Sequence, residues 1–189
     1  MNLPNKLTLS RIFLTVVFMF LLFAEGAPAK CLALGVFLLA SLTDYWDGKI
    51  ARAKNQRTSF GKLMDPIADK LLSLSAFLAF VQMEIIPAWM VMLIIARDLL
   101  ITGLRLLAPP GHPVMAVRSS GKHKTTLQFT AIVAVLVFLA VRDTPFWKAE
   151  WTPSAHTFIA ASMFFVVAVT LWSGLRVVYL NREIFSAVR

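Results

Sequence analysis

Six apolar segments, near residues 7–24, 29–52, 62–83, 87–108, 125–141 and 154–178, constrain this chain more than any other feature. Each approaches the ~20 residues that an α-helix needs to cross the hydrocarbon of a bilayer. The expected fold is all-α: an integral membrane bundle of six transmembrane helices, in one domain over 1–189. Composition agrees, because the chain is 58% hydrophobic and only 15% charged, whereas soluble domains run to about half apolar and about a quarter charged. Lys6 and Arg11 precede the apolar stretch Ile12–Ala24 as in a signal peptide. The later segments are equally apolar, so the first reads as a retained helix. Asn2–Arg11 is expected to lie along the interface before that span.

Charge then orients the bundle. The net charge of +9 fits either nucleic acid or a membrane face near anionic lipid and phosphate; the apolar runs favour the second, with no nucleic-acid partner. With six crossings, all but three of the 19 Lys and Arg residues fall on or near one face. The exceptions are Lys30, Arg142 and Lys148, on a face that also carries Glu25, Glu84, Asp143 and Glu150. The positive-inside rule makes the basic face cytoplasmic, so the chain is expected as a multi-pass protein of the cytoplasmic (inner) membrane. Trp89, Trp147 and Trp151 read as interface belt residues, and His156 as structural. The single cysteine, Cys31, excludes an intrachain disulfide and reads as a small packing residue. Most prolines mark segment ends, but Pro66 falls inside the third segment, as a kink or a first turn.

Asp44, Asp47, Asp65 and Asp69 stand at the cytoplasmic ends of the second and third segments. A carboxylate there is costly unless it pairs, binds metal or meets water. Asp44 and Asp47 are three apart and Asp65 and Asp69 four apart, so each pair shares a helix face. Opposed, the two faces make a four-carboxylate site whose oxygen-only donors suit Mg²⁺ or Mn²⁺. Spacing alone leaves open two other readings: solvated loop charges, or ion pairs with Lys49, Arg52, Lys62 and Lys70.

The surrounding residues narrow the choice. Asp44-Tyr45-Trp46-Asp47-Gly48-Lys49-Ile50-Ala51-Arg52, then eight residues, then Gly61-Lys62-Leu63-Met64-Asp65-Pro66-Ile67-Ala68-Asp69, resembles the CDP-alcohol phosphotransferase signature at all eight fixed positions, over 26 residues. The resemblance implies that the four aspartates hold two Mg²⁺ or Mn²⁺ ions at the diphosphate of a CDP-lipid, and that Asp69 is also the general base. Gly48, Ala51 and Gly61 are small enough for a nucleotide to approach the backbone, or for helices to pack closely. Arg52 offers a planar donor fork to a diphosphate, or anchors the inner face. Thr58, Asn5 and Thr8 join the CDP-lipid contacts by the same resemblance, which also implies a homodimer.

The opening run Asn2–Arg11, the stretch Ala96–Arg105 and the stretch Gly121–Gln128 resemble family members whose acceptor is glycerol 3-phosphate. Arg97, Arg105, Arg118, Lys122, Lys124 and Arg176 map to the cytoplasmic half as a basic pocket for the acceptor's phosphate, or as anchors to anionic headgroups. Asp98 points about 100° away from Arg97 on a helix, which makes it an imperfect partner. His123, among these cations, reads as a solvated loop residue. Pro109-Pro110-Gly111-His112-Pro113 departs from the family pattern. The expected partners are CDP-diacylglycerol, glycerol 3-phosphate and membrane lipids. Inositol phosphate, serine or phosphatidylglycerol remain rival acceptors, and a metal-ion transporter is the rival from another class.

Overall fold

A computed structural model describes residues 3–54, 59–107 and 117–181, with side chains over 9–43, 70–104 and 125–181. Its long elements are six α-helices: α1 (Leu3–Phe23), α2 (Ala27–Lys54), α3 (Ser59–Gln82), α4 (Ala88–Leu107), α5 (Val117–Arg142) and α6 (Thr152–Leu180). A short 3₁₀ turn, Ala149–Trp151, precedes α6, and no strand occurs among the described residues. Each helix grows from one expected apolar segment. Leu3–Arg11 is continuous with α1, so no separate interfacial segment precedes the first helix. Pro66 lies in the interior of α3 rather than in its first turn. The proline-rich stretch 109–113 lies outside the described residues.

Local chemistry ends the helices at the far side from the aspartates. Gly26 turns the chain between α1 and α2 at φ +90°, a conformation open to glycine without a Cβ clash. Lys30 is buried, and its ammonium caps the last carbonyls of α1, donating to Leu22 O and, at 2.9 Å, to Ala24 O. At the end of α3, Ile85 N–H donates to Phe80 O and Glu84 N–H to Val81 O. Glu84 sits at φ 57°, which makes this a Schellman closure on a non-glycine residue. Pro153 falls in the first turn of α6, where its missing N–H costs no helical bond.

The helices close into a ring in which neighbours run α1, α2, α5, α6, α4, α3 and back to α1. α1 stands between α2 and α3, which touch each other little directly. The half of the ring far from the aspartates is filled by Phe18, Leu22, Phe37, Phe80, Leu139 and Met163, all buried. Phe18 and Phe37 meet with ring centroids 5.5 Å apart. The outer surface is also apolar: Phe20 is 75% exposed and Trp172 74% exposed. Apolar patches on that scale need a non-aqueous neighbour. Among the described residues, Thr125–Arg142 and Ala149–Leu180 are long and apolar enough to cross a membrane, and Leu9–Phe23, Ala27–Thr43 and Lys70–Gln82 are shorter apolar stretches. Cys31 is exposed on this outer surface rather than packed inside; an apolar environment surrounds both faces of such a helix, so an apolar run does not tell which face is interior. At the far end Trp147 meets Phe138 and Trp151 edge-on, and His156 packs edge-on against Phe138 at 5.5 Å.

Candidate active site

Helix register brings the four aspartates to one level. Asp44 lies ten residues before the end of α2 and Asp69 ten residues after the start of α3, about 15 Å of helix in each case. Asp47 and Asp65 lie seven and six residues from the same ends. The two helices run in opposite directions on either side of a short connection, so the pairs are matched in depth at one end of the ring. Gly48, Ala51 and Arg52 follow on α2, and Gly61 precedes the second pair on α3. Asn5 and Thr8 lie at the same end on α1, Arg105 on the last turn of α4, and Arg118, Lys122, His123 and Lys124 on the first turns of α5. The side chains of these residues, and Thr58 altogether, lie outside the described ones. His123 is on a helix, not in a loop. Arg176, near the end of α6, is exposed.

The donor set itself tests whether a divalent ion fits. Four aspartates on these two helix ends, with no cysteine or histidine within 44–54 or 59–69, are hard oxygen donors of the kind that Mg²⁺ and Mn²⁺ prefer. The residues present fit the group.

Immediately beyond Asp69, the described side chains form a polar cluster across three helices. The Lys70 ammonium donates to Thr102 Oγ1 at 2.6 Å and to Asp98 O at 3.2 Å, both on α4. Thr102 Oγ1 donates to Asp98 O at 2.8 Å. Arg97 Nη1 pairs with Asp98 Oδ1 at 3.3 Å, and Arg97 Nη2 donates to Ser173 Oγ on α6 at 2.7 Å. The Arg97 stem lies on Gly174, where an added Cβ would come within 2.8 Å of Arg97 Cγ. Lys70, Arg97, Asp98 and Ser173 each engage in further interactions beyond these.

This cluster corrects the expectation that Asp98 pairs poorly with Arg97. The helix does separate their Cα–Cβ directions by about 100°, but the long arginine stem bends back far enough to reach. From sequence, Lys70 reads as an ion-pair partner for the aspartates and Thr102 as part of the Ala96–Arg105 stretch, while no reading singles out Ser173 or Gly174. A lysine inside an apolar segment, and a Ser-Gly pair inside another, were the available signals.

The same end buries other polar groups. Arg11 is only 2% exposed, although it reads from sequence as a surface cation, and Thr15 Oγ1 donates to its carbonyl at 2.9 Å. Gln128 and Thr170 are buried, and among the described residues Gln128 Nε2 and Thr170 Oγ1 have no hydrogen-bond partner.

Comparison with known proteins bears on what this end does. The family model described as CDP-alcohol phosphatidyltransferase matches residues 1–177. A Bacillus subtilis (strain 168) protein named CDP-diacylglycerol–glycerol-3-phosphate 3-phosphatidyltransferase is 40% identical over 178 residues, covering 88% of this chain and 90% of its own length. Proteins of the same name from Salmonella paratyphi A, 35% identical over 183 residues (93% of this chain, 92% of theirs), and Rickettsia typhi, 38% identical over 136 residues (72% and 76%), are also similar. With the eight signature positions carried on α2 and α3 and the family match covering nearly the whole ring, this chain belongs to the CDP-alcohol phosphatidyltransferase family.

Proposed function

We propose that the chain is a CDP-diacylglycerol–glycerol-3-phosphate 3-phosphatidyltransferase, an enzyme of phospholipid biosynthesis. The observation that carries this reading is the shared name of relatives 35–40% identical over most of their own length. Asp44, Asp47, Asp65 and Asp69 would hold two Mg²⁺ or Mn²⁺ ions, which when bound offset negative charge on the diphosphate and on the departing CMP.

The chain's own residues supply the rest. Arg52 donates to the diphosphate, while Gly48, Ala51 and Gly61 leave room for the nucleotide, with Asn5, Thr8 and Thr58 beside it. Asp69 removes the proton from the C1 hydroxyl of glycerol 3-phosphate. That oxygen attacks the phosphatidyl phosphorus in line, the bond to CMP breaks, and CMP leaves with the electron pair. Phosphatidylglycerophosphate and CMP result. Arg105, Arg118, Lys122 and Lys124 bind the acceptor's phosphate. Arg97 belongs to the same set and acts by its charge from beneath, since both of its terminal nitrogens already meet protein groups.

All six helices are read as membrane spans, with the aspartate end facing the cytoplasm and two chains forming a homodimer. The interfacial location lets acyl tails stay in hydrocarbon while the headgroup meets a soluble acceptor. Purified protein given CDP-diacylglycerol, Mg²⁺ and a panel of labelled glycerol 3-phosphate, inositol phosphate, serine and phosphatidylglycerol tests the reading. Incorporation of another acceptor in preference to glycerol 3-phosphate would overturn it.

A further inference from the structure

We propose that Lys70 and Thr102 form a positioning clamp that sets the rotation of α3, and with it the placement of Asp65 and Asp69, an inference that rests on the transferase reading above.

The geometry begins with the one-residue offset. Lys70 follows Asp69 directly, so on the helix the two positions are about 100° apart, and Asp65 stands about 140° from Lys70. A tether on Lys70 therefore bears on where both acidic positions face. The tether is specific. The ammonium reaches α4 at two points, the Thr102 hydroxyl at 2.6 Å and the Asp98 carbonyl at 3.2 Å. Thr102 in turn donates to that same carbonyl at 2.8 Å, so the three groups form a closed triangle. α3 packs along α1 and touches α2 little directly, and Lys70 supplies the described side-chain hydrogen bonds from α3 to α4.

The anchor on α4 is itself braced. Arg97, beside Asp98, ties α4 to α6 through Ser173 Oγ at 2.7 Å. Gly174 admits the arginine stem so closely that a Cβ would collide with it. Rotation of α3 is thus referred through α4 to α6. Groups that orient ligand-bearing side chains without touching the ligand commonly change metal affinity and rate by about 10- to 100-fold when removed.

Mn²⁺ binding followed by electron paramagnetic resonance, on purified full-length protein in lipid nanodiscs, tests the clamp alongside steady-state kinetics. Thr102→Val keeps the shape and removes the hydroxyl; Lys70→Met keeps the stem and removes the donor. Both are expected to weaken Mn²⁺ binding about tenfold and to lower kcat about tenfold, with the KM for glycerol 3-phosphate nearly unchanged. Thr102→Ser, which restores the hydroxyl, is expected to restore both. Wild-type Mn²⁺ affinity and kcat in folded Thr102→Val would overturn the proposal, as would a Thr102→Ser variant as impaired as Thr102→Val. If Lys70→Met does not fold, Thr102→Val decides. A wild type that binds Mn²⁺ but transfers nothing to glycerol 3-phosphate would sink the transferase reading alone, and the Mn²⁺ arm would still judge the clamp. No Mn²⁺ binding by the wild type would sink both.

Discussion

The two ends of the ring share the same six helices and differ in what they bury, mainly apolar side chains at one and a mixture of polar and apolar ones at the other. Far from the aspartates, Phe18, Leu22, Phe37, Phe80, Leu139 and Met163 interdigitate. Near them the described interior holds Lys70, Arg97, Asp98, Thr102 and Ser173, joined by hydrogen bonds across α3, α4 and α6, and Arg11 and Thr15 buried on α1. Gln128 Nε2 and Thr170 Oγ1, buried without a hydrogen-bond partner among the described residues, belong to helices that also build the apolar half. Packing of apolar groups is tolerant of partner and direction, whereas a buried polar group needs a partner at a set distance. One end can therefore hold the bundle together while the other keeps its side chains committed to geometry.

That division is open to direct attack. The largest expected effect is at the acidic end: Asp69→Asn should lower turnover by about 10²- to 10⁴-fold with little change in thermal unfolding. Turnover near wild type would remove Asp69 as the base. Phe80→Ala in the apolar half should do the reverse, costing about 3–5 kcal/mol of stability while activity per folded molecule survives. A rate loss without a stability loss there would erase the distinction between the ends. Arg118→Ala and Lys124→Ala should raise the KM for glycerol 3-phosphate more than they lower kcat; an unchanged KM would return those residues to lipid anchoring. Gly174→Ala should cost about 1–3 kcal/mol by overpacking, because its Cβ meets the Arg97 stem at 2.8 Å; unchanged unfolding would mean that the stem moves aside freely. The smallest effect belongs to the far-end turn. Glu84→Gly should stabilise by about 1 kcal/mol, since a left-handed backbone penalises any side chain, and should leave kinetics untouched.

Much of the fold was legible beforehand because its causes are local. A run of ~20 apolar residues implies a helix wherever it sits, and the six observed helices grow from the six expected runs. The spacing of Asp44, Asp47, Asp65 and Asp69 places each pair on one face by helix period alone. What escaped was rotation. Cys31 faces outward and Arg11 inward, and neither follows from its neighbours, because segments apolar nearly all round present no stripe to distinguish lipid from core.

By itself, then, the sequence determined the helices, the end of the bundle that carries charge, and the family signature with its acidic pairs. Only the tertiary structure decided the order of helices around the ring, the tie of Lys70 to Thr102 some 32 residues away, and that of Arg97 to Ser173 some 76 residues away. Period and composition are properties of a single segment. A hydrogen bond between segments depends on which faces meet, and in a chain with apolar surroundings inside and out that choice is made by packing.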